Sequence, residues 1–467
     1  MTDATFEMAK QRHETGALQE AEELYRRVLA DDPSSYRAAN NLGTVLQQLG
    51  RVDEAIAVYQ CAVNTNPDCF LLHYNLAHAL HVADQLGSAL FHYLRAIELS
   101  PHCAETHFNL ANLLFEQARY SSAIDAYRRA IELDPDFSKA HSNLGTALYE
   151  LQEFAEAARY FEAAIEIDEE NSDDLYRLAR TYSKLHRYED AIGAFQRSLS
   201  VNHENAAAYA ALLETYEGLG REFECEQLVR AWQAHLPNDP SLAHWQASHG
   251  TAPIPDRASC EFVMAKFDEL AIDYDHIMQQ VNYRGPEIVM EVLAEYRRPD
   301  NALQILDLGC GTGLSAQVLR PFAQSLIGVD LSIGMLERAR LRIHYDNLFQ
   351  QDVLLYLNEH PSSCDVIVAM ELLRHFGNAQ ELCTLLASAL RPGGMLVLSA
   401  DELDSRESGD WMLTRQGTYQ HAWDSLGIAL QRAGFAVRTL QREKIRQERG
   451  GPIPSLLGIA ERPIRRA

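Results

Sequence analysis

The chain has 467 residues, too many for one hydrophobic core, and its 47% hydrophobic and 23% charged fractions exclude a disordered protein. Its net charge of -25 is uneven, since residues 1–250 carry 19 basic against 38 acidic side chains and residues 251–467 carry 22 against 28. Such acidity argues against broad nucleic-acid or anionic-membrane binding by the first half; it reads first as a solvated acidic surface and only mildly favours basic partners.

The eight cysteines form no CxxC pair and lack the density of a disulfide scaffold. Met1-Thr2-Asp3-Ala4-Thr5 lacks a basic segment followed by an apolar core, and no apolar run approaches membrane-spanning length. A cytoplasmic protein with reduced thiols, no metal centre and no membrane span is expected.

The first predicted feature is a repeat. Pro33, Pro67, Pro101 and Pro135 recur every 34 residues, as do Ala21, Ala55, Ala89, Ala123, Ala157 and Ala191, and Tyr25, Tyr59, Tyr93, Tyr127, Phe161 and Phe195. Leu42-Gly43, Leu76-Ala77, Leu110-Ala111, Leu144-Gly145 and Leu178-Ala179 add a fourth register. Small residues let two helices approach, the aromatic fills the gap to the next unit, and proline ends a unit because it cannot continue a helix. The order resembles the tetratricopeptide repeat (TPR), a helix-turn-helix unit of this period. It implies an α solenoid of about seven units over residues 1–240, beginning near residues 2, 36, 70, 104, 138, 172 and 206, the last degenerate around Cys225, Val229 and Trp232.

Asn41, Asn75, Asn109 and Asn143 each precede the Leu-Gly/Ala pair. A side-chain amide both donates and accepts, which suits the backbone of an extended protein or peptide partner; the alternative is hydrogen bonding within the repeats. The ladder is similar to the one lining the TPR groove of O-linked N-acetylglucosamine transferases, and it stops at Arg177 and Ala211.

Pro237, Pro240, Gly250, Pro253 and Pro255 mark a linker or a short capping helix followed by a hinge, with residues 241–256 read as the connection. Residues 258–282 and 286–297 read as helices. From Leu303 onward strands and helices alternate: strand 303–308, helix 314–320, strand 325–330, helix 332–343, strand 347–351, strand 365–369, helix 379–390, strand 395–400 and helix 422–433. That pattern predicts an α/β domain over 257–467, Rossmann-like, with a mostly parallel sheet and ligands at the carboxyl ends of its strands.

Three carboxylates fall at strand ends: Asp307, Asp330 and Asp352. The one ending the second strand is placed for both ribose hydroxyls, and the one ending the third for an exocyclic adenine amine. Leu314 stands where the dinucleotide fingerprint wants Gly or Ala, which weakens a nicotinamide reading. The set resembles the class I S-adenosylmethionine (SAM)-dependent methyltransferases over roughly residues 260–460. Asp307-Leu308-Gly309-Cys310-Gly311-Thr312-Gly313 looks like their first motif, Val329-Asp330 like the ribose-binding acid, Asp352 like the adenine-facing acid and Arg391-Pro392-Gly393-Gly394 like the turn before the fifth strand. The resemblance implies SAM as cofactor, held by Asp307, Gly309, Cys310, Gly311, Gly313, Asp330, Leu331, Asp352, Val353 and Glu371. Phe267-Asp268-Glu269-Leu270-Ala271-Ile272-Asp273-Tyr274-Asp275 looks like the lid helix of bacterial TPR-methyltransferase fusions.

Methyl transfer needs an aligned nucleophile and, for some acceptors, a base. Glu371 and His375 follow the fourth strand. Gly417-Thr418-Tyr419-Gln420-His421 resembles a Tyr-x-His segment of the same fusions, and Tyr419 and His421 are the expected catalytic pair. Ala369-Met370-Glu371-Leu372 replaces the Asp/Asn-Pro-Pro-Tyr/Phe run of nucleic-acid amino-methylating enzymes, and no second glutamate pairs with Glu371 as in protein arginine methyltransferases. The acceptor and its atom stay open. Eight basic residues from Arg438 to Arg466 read as a solvated edge. Two functions follow: an enzyme methylating a substrate bound along the TPR groove, or a TPR scaffold whose methyltransferase-like domain binds cofactor without turnover.

Overall fold

The computed structural model describes residues 2–404, 407, 409–448 and 451–464, so that Arg449, Arg465 and Arg466 of the basic tail lie outside the described residues. By contacts the chain divides into two compact units, Met1–His203 and Glu204–Ala467.

The first unit is a run of helix pairs: α1 (Thr2–Glu14) and α2 (Leu18–Asp31), α3 (Tyr36–Gln48) and α4 (Val52–Thr65), α5 (Phe70–Val82) and α6 (Leu86–Leu99), α7 (Ala104–Glu116) and α8 (Tyr120–Leu133), α9 (Ser138–Glu150) and α10 (Phe154–Ile167), α11 (Ser172–Lys184) and α12 (Tyr188–Val201). The 34-residue period is visible in the packing. Tyr25, Tyr59, Tyr93, Tyr127, Phe161 and Phe195 are all buried. A Cβ on Gly43 would come within 2.3 Å of the Tyr59 ring, which explains a small residue at that register. A further register escaped the sequence reading: His73, His107 and His141 each hold the carbonyl of the proline six residues before, Pro67, Pro101 and Pro135, at 2.9, 3.1 and 2.9 Å. A carbonyl can only accept, so the imidazoles staple each helix to the turn that precedes it.

Two glycines make opposite predictions here. Gly43→Ala should destabilise the protein by about 1–3 kcal/mol, because the added Cβ obliges the fully buried Tyr59 ring to shift. Gly193→Ala, inside α12 with nothing within 4 Å of the added Cβ, should instead stabilise, by about 0.5–1 kcal/mol from helix propensity. Urea unfolding of the full chain checks both, and like-signed shifts would refute the close-packing explanation.

The second unit begins with α13 (Ala206–Gly218) and α14 (Glu222–His235), the seventh pair. The proline-rich stretch after it is built rather than loose. Asp239 caps α15 (Pro240–Ser248), its side chain accepting from Ser241 N and Leu242 N. In α15 the His244 ring stacks on Phe262 at 4.0 Å, and its Nε2 bonds the Gly417 carbonyl at 2.9 Å. The helix expected over 258–282 is broken into α16 (Cys260–Leu270) and α17 (Tyr274–Gln280), followed by α18 (Gly285–Tyr296).

The sheet then forms from β1 (Leu303–Leu308), β2 (Ala323–Asp330), β3 (Asn347–Gln350), β4 (Cys364–Ala369) and β5 (Leu390–Glu402), parallel and in the order β3-β2-β1-β4-β5. Helices α19 (Ala316–Leu319), α20 (Ile333–Leu341), α21 (Val353–Glu359) and α22 (Gln380–Ala389) connect these strands. Leu306 and Leu308 of β1 bury in one apolar cluster and Ile305 in the other, as an interior strand requires. Beyond β5 lie β6 (Trp411–Leu413), β7 (Tyr419–His421), α23 (Trp423–Arg432), β8 (Ala436–Glu443), β9 (Gln447–Glu448), β10 (Gly451–Pro452) and β11 (Ser455–Glu461). The part of the tail read as a solvated edge contains β8 and β11, with β11 inserted antiparallel between β5 and β8. Chain order reverses at β1, whose neighbours are β2 and β4, and this switch point opens a crevice at the carboxyl ends. No helix among the described residues is long and apolar enough to cross a membrane.

Candidate functional site

The switch point holds a cleft of about 980 Å³, counting space open to solvent. Its floor is the turn after β1. Gly309, Gly311 and Gly313 have φ of 64°, 54° and 80°, conformations costly for other residues, so the chain can leave the strand and turn back under a ligand. Asp330, at the end of β2, ties this turn down: Gly311 N donates to its Oδ2 at 2.8 Å and Ser332 N to its Oδ1 at 2.9 Å. Asp307 is buried beside it and accepts from the Tyr345 hydroxyl at 2.7 Å. Burial pushes its carboxyl up to about 6, against the lowering pull of that hydrogen bond. Burial likewise raises Asp330.

Asp352 stands at the far end, where it caps α21 by accepting from Leu354 N at 3.1 Å and Leu355 N at 3.3 Å through Oδ1. Its Oδ2 takes Arg257 Nη1 at 3.0 Å and the Cys260 thiol at 3.2 Å. The broken lid helices cover the turn from above. Asp268 accepts from Ser332 Oγ at 2.6 Å and Gly334 N at 3.0 Å, and Asp275 accepts from Thr312 Oγ1 and Arg342.

At the other end Glu371 follows β4 with φ of 60°, a strained position for a residue with a side chain. Ser399 Oγ accepts from its N–H at 2.7 Å, while its carboxylate pairs with Arg446 and, at 3.3 Å, with Arg374. Arg446 is buried and also grips Asp401 at 2.6 and 2.8 Å. Tyr274, Tyr283 and His375 complete this wall. The Nδ1 of His375 is buried without a hydrogen-bond partner. Burial, with Lys266, Arg374 and His244 nearby, holds its pKa well below the usual imidazole range, so the ring stays neutral.

Of the expected cofactor contacts, Asp307, Gly309, Cys310, Gly311, Asp330, Leu331, Asp352, Val353 and Glu371 all line this one cleft. Gly313 faces elsewhere: its missing Cβ makes room for the Tyr345 ring, 3.0 Å from where that atom would be. Tyr419 and His421 also lie off the cleft wall. Tyr419 is fully buried and donates to the Pro255 carbonyl at 2.9 Å; His421 is buried with Nε2 3.2 Å from the Leu373 carbonyl. Burial lowers the His421 pKa. Both rings hold backbone that forms the cleft instead of facing its contents. The sequence reading missed Tyr283, Arg257 and Arg446, which lie outside every motif, and Asp401, a further carboxylate at a strand end, which directly follows the strand expected over 395–400.

In the solenoid, Asn109 and Asn143 line a cleft with Asn112, Thr146 and Arg177. The ladder amides donate to neighbours: Asn41 to Tyr25 Oη (3.1 Å), Asn75 to Asn40 Oδ1 (2.6 Å), Asn109 to Tyr74 Oη (2.9 Å) and Asn143 to Asn112 Oδ1 (2.9 Å).

Residues 274–440 match the family described as "Methyltransferase domain", and residues 13–80, 108–172 and 148–213 match tetratricopeptide repeat families. The chain is a TPR-methyltransferase fusion. The fusion is 32% identical over 189 residues to a malonyl-[acyl-carrier protein] O-methyltransferase of Halalkalibacterium halodurans, covering 38% of this chain and 66% of that one. It is 32% identical over 142 residues to a trans-aconitate 2-methyltransferase of Paracidovorax citrulli, covering 30% and 52%. The fusion thus spans less than two thirds of either relative. The crystal structure of MamA matches with a TM-score of 0.34 and 25% identity over 35% of this chain and 96% of that one.

Proposed function

We propose that the fusion transfers a methyl group from SAM to an acceptor selected by its TPR groove, with residues 1–240 as the solenoid, 241–256 as the connection and 257–467 as the methyl-transferring domain. One observation carries the reading: Asp307, Asp330, Asp352 and Glu371 line a single cleft at a sheet switch point, above a glycine turn.

The residues present fit that cofactor. Each carboxylate oxygen has two acceptor sites. Asp330 takes Gly311 N on Oδ2 and Ser332 N on Oδ1 and has a further backbone bond from Leu331, and the acceptor capacity that remains suits a ribose hydroxyl. Leu331, Val353 and Phe376 supply apolar walls for a flat base, and Asp352, whose Oδ1 caps α21 and whose Oδ2 takes Arg257 and the Cys260 thiol, meets the base's amine in place of that weakly bonding thiol. When bound, SAM supplies an electrophilic methyl on a sulfonium, a cation that suits a cleft lined by acids.

Glu371, paired with Arg446 and Arg374, is fixed in place by Ser399 and holds the positive end. Tyr274 and Tyr283 close the wall around the transfer path and exclude water. His375, neutral and lining the cleft, orients the acceptor as a hydrogen-bond partner. Tyr419 and His421 support this arrangement through Pro255 and Leu373, as positioning residues. The acceptor atom is oxygen in this reading, which the O-methyltransferase relative favours, and Asn41, Asn75, Asn109, Asn143 and Arg177 face a bound protein or peptide.

Full-length protein incubated with methyl-labelled SAM and cell extract, then fractionated into small molecules, proteins and nucleic acid, is expected to label one of the first two fractions. His375→Gln should keep cofactor affinity and lower the rate by about tenfold, the worth of one orienting hydrogen bond. Cofactor binding without label transfer to any fraction would replace this reading with a scaffold that only binds the cofactor.

A further inference from the structure

The residues between α15 and α16 form part of the cleft. The Asp256 carbonyl accepts from Gly377 N at 2.7 Å and Asn378 N at 2.9 Å, and Ala258 N donates to the His375 carbonyl at 2.9 Å. Tyr419 adds its hydroxyl to Pro255. These bonds lay residues 255–258 down as a strap, with Arg257 bridged antiparallel to Phe376.

The strap presents the Arg257 guanidinium on the cleft wall. Its side chain is 37% exposed, its Nη1 lies 3.0 Å from Asp352 Oδ2, and its central carbon lies 6.0 Å from the centre of the Phe376 ring. With Oδ1 of Asp352 committed to the cap of α21 and Oδ2 shared by Arg257 and the Cys260 thiol, Arg257 is the cation that fixes where Oδ2 points, and the thiol is the weaker partner that a ligand amine would displace. A planar guanidinium beside an aromatic ring and apolar walls suits a flat π-system with an amine on its edge.

We propose that Arg257 is a cofactor-binding residue, which covers the adenine from the strap and holds Asp352 at the amine edge. This rests on the reading of the cleft as a SAM site. It assigns to the connection between solenoid and sheet a direct part in cofactor binding. Tyr419, which bonds the strap, then acts on the cofactor through Arg257.

The test uses the full chain. S-adenosylhomocysteine and 5′-methylthioadenosine should protect Arg257 from phenylglyoxal, read by mass spectrometry, whereas methionine should not. Arg257→Met should weaken S-adenosylhomocysteine binding by about tenfold in calorimetry, the size of one partly desolvated cation–π contact, with the melting temperature unchanged. Arg257→Lys, which keeps the charge but not the plane, should recover only part of the affinity. Equal modification with and without 5′-methylthioadenosine, or affinity within twofold of wild type in Arg257→Met, overturns the assignment while leaving the cofactor reading intact. Failure of the wild-type chain to bind S-adenosylhomocysteine removes the cofactor reading and this assignment together.

Discussion

Asp330→Ala is expected to abolish cofactor binding. A charge-assisted hydrogen bond to the ribose would go, at about 1.5–3 kcal/mol, so calorimetry on the full chain should show affinity at least about tenfold weaker from this loss alone. The glycine turn loses an anchor as well, because Gly311 N and Ser332 N both end on this carboxylate. Asp330→Asn separates the two effects: its amide oxygen keeps one backbone bond and one hydroxyl bond, so the affinity should fall between wild type and alanine. Burial raises the Asp330 pKa. In the wild-type protein, affinity should therefore begin to fall at a higher pH on acidification than an ordinary aspartate would dictate. Unchanged binding in Asp330→Ala would sink the SAM assignment.

The second large effect is on stability. Arg446 is the principal cation for two buried acids, Glu371 and Asp401. Arg446→Met leaves both acids with Arg374 alone, at 3.3 Å from Glu371 and 3.2 Å from Asp401, a loss of up to about 3–5 kcal/mol, the cost of breaking a buried pair. The sign with pH follows from Glu371, whose pKa burial already raises and Arg446 lowers. Without the arginine the folded-state pKa rises further above the unfolded value. Stability is then greatest below the unfolded carboxylate range and is lost as pH rises through the folded value. Urea unfolding should thus show the variant badly destabilised at pH 7.5 and much less so at pH 5. A deficit independent of pH would mean that Arg446 acts by packing alone.

The contrast between what the chain announces and what it conceals has a physical cause. Helices of the solenoid begin at Thr2, Tyr36, Phe70, Ala104, Ser138, Ser172 and Ala206 because each unit repeats its own local solution to packing, so the period in the residues is the period in space. That Asp307, Asp330 and Asp352 share a cleft was legible because strand ends are marked by apolar runs and the cleft sits where those ends converge. Arg446 and Tyr283 were not, since only the closing of the sheet by β11 and the turn before α18 brings them to Glu371's end of the cleft. β8 was concealed differently. Ala436–Glu443 carries Arg438, Arg442 and Glu443 at the sheet edge, where charge guards unpaired backbone and mimics a solvated tail. Resemblance alone pointed to Tyr419 and His421, and it could not distinguish a ring that faces the ligand from one that holds the wall behind it.

The grouping of the seventh helix pair with the sheet unit bears on how such a chain can be re-engineered or can diversify. A recombination joint near residue 204 would exchange the preceding repeats, with their asparagines, and leave α15, the strap and the cleft in their native company. A joint near residue 250, where composition alone would cut, would divide His244 from Phe262 and Gly417. The repeats are thus open to shuffling at the first joint and closed to it at the second.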